Sequence, residues 1–441
     1  MKRRLFIVTA LTAYGISNMS AISLEAALAQ TLEKNPLILQ AKVALEQAAG
    51  QRLVFRANGL PDARIQTVIG AQGGKRAGEP SVQPLGFARV FFAQPLFNAA
   101  GPASRRRGDV EVLLAQQRLN IAIVEQLHAA RIAFYTALFN DSLLALGEAQ
   151  RERLAQNVST QAERYQAGRA DRGALAAARL LERELDPRIA EVRRGYEGAL
   201  LTLALVMGND LGAKGGVVRP NGELQFTNVS YDLQSEIPAA LTRRPDLKLA
   251  RALVRAAAED QKIIEAAYYP RLNATISGTY IPITVRQANG GSARSSDDII
   301  SSEGTGGFAG TWRVLDNGKV GGQAVRARAV REINEISLRQ LEANVSLELQ
   351  RISNNFRAID QRRKSLDAAV ANSEQNVAAV QQSLNEGLSS QLEFRVAEGS
   401  FLETRIALLS AAYQQNVARA EWDRATGRSF QFSEDTTANS H

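Results

Sequence analysis

After Pro270 the chain alternates. In RLNATISGTY, Leu272, Ala274, Ile276, Gly278 and Tyr280 are apolar or small, and Asn273, Thr275, Ser277 and Thr279 between them are polar. Strict alternation over nine residues predicts a strand with one apolar and one polar face. GFAGTWRVL returns with Phe308, Gly310, Trp312 and Val314 on one face. Between them QANGGSARSSDDIISSEGTGG predicts a polar loop. The first half repeats this with ARIQTVIGAQ and FARVFFAQPLF around GGKRAGEPSVQP. Four strands in two pairs cannot bury much of a sheet, and their open edges are a hazard. Other copies of the chain must complete them.

A second period governs the long segments. From Leu338, positions Val345, Ile352, Ile359, Leu366 and Val380 recur every seven residues, with Ser373 breaking the series. Leu349, Phe356, Val370, Val377 and Leu384 form a second series four residues on, with Arg363 the exception. Sustained heptads predict a coiled-coil-type helix with wet outer faces. The pattern predicts helices over 323–384 and 104–165, 62 residues each, or roughly 93 Å at about 1.5 Å per residue. Segments of 24 and 38 residues (246–269 with 390–427, and 37–60 with 171–208) sum to the same length. One long helix can therefore lie beside two shorter ones stacked end to end.

These patterns occur twice. Pro36 and Pro245, at predicted helix starts, and Pro61 and Pro270, at their ends, are 209 residues apart. Leu96/Asn98 with Leu315/Asn317, Gly168 with Gly387, and Gly208 with Gly427 are 219 apart. The halves are homologous, and the second carries ten extra residues between Pro270 and Leu315, expected in the loop of its strand pair. A two-fold repeat this long is no solenoid. The predicted organisation is a signal peptide over 1–21, a first repeat over 22–208 with strands at about 62–98, and a linker over 209–231. A second repeat follows over 232–428 with strands at about 271–316, then a polar tail over 429–441.

Composition narrows the chemistry. The 441 residues contain no cysteine and two histidines, His128 and the terminal His441. Disulfides, thiolate metal sites and histidine-based catalysis are thereby excluded or nearly so. His128 lies on the apolar stripe of the first long helix and is predicted to pack in its core. No cofactor or metal is expected, and no enzyme. The net charge of +8 raises a nucleic-acid reading, but the basic residues are interleaved with Glu and Asp on helices and form no aromatic-interleaved stripe. No nucleic-acid partner is expected. Gly70–Lys75 lacks the spacing of a phosphate loop and falls in a strand pair. The N-terminus, MKRR followed by LFIVTALTAYGI, has the form of a secretory signal cleaved near Ala21. The run is shorter than the roughly 20 apolar residues a span needs.

An exported chain with these strands and helices resembles the TolC-like outer-membrane efflux protein family. The resemblance rests on SLEAALAQTLEKNPLILQAKVALEQA at 23–48, RRPDLKLARALVRAAAEDQKIIEAAYYPRL at 243–272, WRVLDNGKVGG at 312–322, and the paired helix tips. It implies a mainly α fold with a small β part, completed as a homotrimer with a twelve-stranded outer-membrane barrel and a twelve-helix periplasmic tunnel. It also implies a passive exit duct of a tripartite efflux or type I secretion system. Such a duct works with a periplasmic adaptor protein, an inner-membrane ABC or proton-driven transporter, and outer-membrane lipid. A secreted coiled-coil scaffold without a pore is the alternative.

The resemblance also points to site residues. Gly387, Leu388 and Ser389 resemble the family's Gly-Leu-Ser tip motif, which meets the adaptor; Gly168 and Arg169 stand in the first tip, whose Gly-Arg-Ala departs from it. Family members place an acidic ring inside the tip. Glu393 matches one acidic position, Val396 occupies the next, and Asp171 is a candidate by proximity. Phe91, Phe92, Tyr280 and Trp312 are expected in membrane-interface girdles. Cargo is not legible.

Overall fold

The structure is a computed structural model that describes residues 21–74, 82–212, 216–227, 232–280 and 302–428. The signal peptide short of Ala21, the tail from residue 429, and the predicted ten-residue insertion between Tyr280 and Ser302 lie outside the described residues.

The elements repeat with the two sequence offsets. Helices α1 (Leu24–Lys34) and α2 (Pro36–Ala57) match α6 (Leu233–Arg243) and α7 (Pro245–Glu265). Strands β2 (Asp62–Gly73) and β3 (Val82–Phe97) match β5 (Arg271–Tyr280) and β6 (Ser302–Thr311). Helix α3 (Ala100–Gln166) matches α8 (Lys319–Glu386). Helices α4 (Arg172–Arg183) and α5 (Leu185–Val206) together match α9 (Gln391–Thr426). Two-residue strands β1 (Ala21–Ile22) and β4 (Arg219–Pro220) pair in parallel.

Each half opens with an 11-residue helix that periodicity did not single out. Ser23 and Asp232 cap the starts by accepting from the Ala26 and Gln234 amides. The following proline ends each one: the residue before a proline is pushed out of the helical region, and Asn35 and Arg244 both sit at ψ 125°. Pro36 and Pro245 then stand at the first position of α2 and α7, where a missing N–H costs nothing. Asn35 Oδ1 caps α2, accepting from Leu37 at 2.9 Å and Ile38 at 3.3 Å.

Helices α3 and α8 run 67 and 68 residues, longer than the 62 the apolar stripe marks, or about 100 Å at 1.5 Å per residue. Their first turns are fixed by polar caps: Asn98 accepts from Ala100, and Asp316 from Gly318 and Val320. Predicted helix 171–208 is broken, whereas its counterpart α9 is continuous. Pro187 explains the break, because its ring removes one N–H and crowds the carbonyl of Arg183. The matching position in α9 is Ile406.

The chain divides into two compact units. One comprises Met1–Lys42, Leu119–Pro245 and Glu342–His441; the other comprises Val43–Arg118 and Asp246–Leu341. The first is cored by Ala27, Phe134, Ala137, Leu138, Tyr196, Leu203 and Met207, with a separate cluster of Leu154, Leu185, Ile189, Leu384 and Phe394 toward the tips. On α8, Val345, Leu349, Ile352, Ile359, Val370 and Leu384 are buried, as the heptads require. The two exceptions bond instead of packing. Ser373 meets the Thr404 hydroxyl at 2.8 Å, and Arg363 pairs with Asp360 and Asp367 and lies over the Phe226 ring.

The inter-repeat segment runs along α9. Gln415 accepts from the Thr227 amide at 2.9 Å and donates to its carbonyl at 3.1 Å, and Asn416 donates to the Gln225 carbonyl. The second unit holds the only sheet of more than two strands among the described residues. It is antiparallel in the order β2-β3-β5-β6, and a helical cluster of Val110, Leu114, Ala252 and Ala256 belongs to the same unit.

Candidate channel wall and tip turns

Register assigns every strand residue to a face, because directly paired residues share one and neighbours along a strand alternate. One face carries Ala63, Ile65, Thr67 and Ile69 on β2, then Ala88, Val90 and Phe92 on β3. It continues with Ala274, Ile276, Gly278 and Tyr280 on β5 and Gly304, Gly306 and Phe308 on β6. Ile65, Ile69, Val90, Ile276, Tyr280 and Phe308 on this face are exposed. The opposite face carries Asp62, Arg64, Gln66, Arg89, Asn273, Thr275, Ser277, Thr279, Glu303 and Thr305.

The four predicted interface aromatics do not form one group. Phe91 pairs with Arg64 and Ser277 and therefore lies on the polar face, opposite to its neighbour Phe92. There it is covered by the Arg64 guanidinium, 4.7 Å from its ring centre. Phe92 pairs with Ala63, one residue from the start of β2, and with Ile276, midway along β5, and so lies on the apolar face. Tyr280 closes that face at the loop end of β5. Trp312 is at the helix end and outside the strand, because β5 starts at Arg271 opposite Thr311 and offers no further partner. Its indole donates to the Tyr268 carbonyl at 3.1 Å, and Tyr268 and Tyr269 are exposed beside it in sequence. Tyr280 and Trp312 thus mark opposite rims. Gly70–Gly73, part of the excluded phosphate-loop pattern, is regular strand.

Both tips are the same turn. Gly168 has φ 70° and Gly387 φ 81°, a conformation that glycine adopts without a Cβ penalty. The Arg169 amide donates to the Arg164 carbonyl at 2.7 Å, and the Leu388 amide to the Ser383 carbonyl at 2.8 Å. This six-to-one bond ends each long helix. Arg164 ties the two tips together, donating to the Leu384 carbonyl at 2.6 Å.

Beyond the turns the two tips diverge. Asp171 is the N-cap of α4 and accepts from the Ala174 amide at 2.6 Å. Its counterpart is Ser390, the N-cap of α9, which forms a capping box with Glu393. The Ser390 amide donates to Glu393 Oε2 at 2.9 Å, and the Glu393 amide to Ser390 Oγ at 3.2 Å. Both acidic candidates are exposed and both serve helix starts. Only the second tip carries an exposed apolar stripe: Leu388, Leu392 and Val396 are 78, 69 and 64% exposed at four-residue spacing. The first tip has Arg169, Gly173 and Ala177 in the same places.

The helix core behind the tips is partly polar. Gln150, Asn157 and Gln161 are buried at heptad spacing around Leu154, and Asn157 donates to Gln391 at 3.1 Å. Buried Glu398 receives Arg153, which also lies over Phe401. These amides occupy positions where periodicity looks for apolar residues, so only their spacing could have flagged them. Farther along, His128 contacts the Ala420 carbonyl. Burial, then the nearby Arg424 charge, lowers its pKa below the ordinary histidine value, as expected for a neutral packed ring. Among the described residues no group of three His, Cys, Asp or Glu could hold a metal.

The chain is thus a duplicated one, with long helices and a sheet that has one exposed apolar and one polar face. Residues 237–428 match the family model of the outer membrane efflux protein, the family that the sequence resembles. Similar solved structures cover 92 to 94% of the chain. The outer membrane protein VceC of Vibrio cholerae is 17% identical, with TM-score 0.75 over 92% of this chain and 96% of that one. The CmeC outer membrane channel of Campylobacter jejuni is 16% identical, with TM-score 0.76 over 94% and 88%. The MtrE outer membrane channel of Neisseria gonorrhoeae, solved in its open state, is 17% identical, with TM-score 0.71 over 92% and 88%. A comparison with curated proteins gave no match.

Proposed function

We propose that the chain is one-third of a homotrimeric exit duct, which passively carries substrates delivered by an inner-membrane transporter and a periplasmic adaptor across the outer membrane. The observation that carries this reading is the two-faced sheet with unpaired outer strands β2 and β6. In lipid every backbone polar group needs a partner, so such strands are viable there only in a closed barrel. Three copies supply twelve strands, the apolar face meets lipid, and the polar face lines water. No described helix is long and apolar enough to cross a membrane.

The tip at Gly387-Leu388-Ser389 is the adaptor-facing one, and its exposed stripe of Leu388, Leu392 and Val396 supports that role. Gly168 and Arg169 form the less specialised tip. Glu393 and Asp171, tripled by symmetry, draw cations to the periplasmic mouth. Residues 1–21 direct export and are removed. Separating membranes and running the outer-membrane fraction with and without boiling tests the reading. Trimers that fall apart only on heating support it, while a soluble periplasmic protein contradicts it.

A further inference from the structure

The polar face of the sheet is not uniform, and its unevenness lies between the repeats. The second strand pair contributes Asn273, Thr275, Ser277, Thr279 and Thr305, small neutral side chains apart from Arg271 and Glu303 at the ends of their strands. The first pair contributes Arg64 and Arg89 with Phe87 and Phe91. Arg64 pairs across the ladder with Phe91, and Arg89 with Gln66. The two guanidinium groups are therefore diagonal neighbours, roughly 7–8 Å apart at their backbones.

Each is held by a ring rather than by a carboxylate. The Arg64 guanidinium is 4.7 Å from the centre of Phe91, and that of Arg89 is 5.5 Å from the centre of Phe87. Arg89 also donates to Thr279 Oγ1 at 3.2 Å. Among the described residues neither makes an ion pair. Asp62 and Glu303 share the face. Asp62 is one step along β2 from Arg64, and Glu303 is two strands away from Arg89 across Thr279. Among the described residues neither carboxylate forms an ion pair with these arginines. Stacking on a ring face fixes a guanidinium while leaving its charge available, and the arginine stems cover rings that would otherwise stand bare in water.

We infer that Arg64 and Arg89 form a cationic band inside the barrel that favours anions in the outer part of the duct. This rests on the channel reading above. In the trimer the band comprises six guanidinium groups, in three pairs separated by strands whose charged polar-face residues, among those described, are Arg271 and Glu303. Within a pair the backbones stand roughly 7–8 Å apart, about one Debye length at physiological salt, so both charges act on the same stretch of the lumen. Tip carboxylates and barrel arginines then act as filters of opposite sign.

The test is reversal potential in a planar bilayer under a KCl gradient, using the full trimer. Arg64→Gln with Arg89→Gln is expected to lower the chloride-to-potassium permeability ratio about two-fold, while Arg64→Lys with Arg89→Lys keeps it. Both variants retain hydrogen-bonding side chains, and heat-modifiable trimers check assembly. Should the glutamine variant conduct with an unchanged ratio, or the lysine variant lose as much as the glutamine one, the band is not a charge filter and the channel reading stands. Absence of conductance in the parent trimer would instead remove the channel reading, and the band with it.

Discussion

At the residue scale, Glu393 has two duties that one substitution can separate. Its carboxylate closes the capping box with Ser390 and faces solvent beside the second tip. Glutamine can accept the same Ser390 N–H, so Glu393→Gln keeps the cap and removes the charge. Expected outcomes are an unchanged melting temperature and a cation preference about two-fold weaker in bilayer recordings. Ser390→Ala should do the reverse, costing about 1 kcal/mol of helix stability with selectivity retained. Unchanged selectivity in Glu393→Gln would make Glu393 a cap and nothing more. The acidic candidates were visible in sequence from the tip motif, but their capping role depends on backbone angles. Phe91 shows the same limit. Adjacent aromatics on a strand cannot share a face, so only register could assign Phe92 to the apolar face and Phe91 to the arginine.

At the element scale, the positive-φ glycines recur across the repeat as Gly168/Gly387 and Gly208/Gly427, yet they face different surroundings. A Cβ on Gly168 would meet open space; one on Gly208 would fall on the Lys34 carbonyl and the Asn35 amide. Gly168→Ala should therefore cost only the left-handed strain, about 1–2 kcal/mol. Gly208→Ala adds a backbone clash where α5 ends against the junction of α1 and α2, and should lower the thermal midpoint clearly more. Equal midpoints for the two variants would show that the close approach at Lys34 contributes nothing. Long helices and strands were legible because heptads and alternation persist over many residues. Helices α1 and α6 were not, since 11 residues hold too few turns to establish a period. The α4–α5 break follows from a single proline, and the strap along α9 is made by amide side chains in a segment with no periodicity.

At the scale of the whole molecule, the sequence pattern demanded partners before any fold was known, because two strand pairs leave edges that one chain cannot satisfy. The structure narrows that demand to β2 and β6, the outer strands of the four. The repeat offsets were legible from a few prolines and glycines, and elements in both halves obey them. Closure itself is beyond the reach of one chain, being a property of the assembly rather than of any residue. The most direct measurement is cross-linking of β2 to β6 between copies. The chain contains no cysteine, so Gln66→Cys combined with Thr305→Cys places two thiols on the polar face of the two edge strands. A short bismaleimide applied to purified outer membranes should give a ladder of monomer, dimer and trimer that stops at the trimer. A ladder running past the trimer, or no cross-link between copies in an assembled preparation, would contradict the closed three-chain duct.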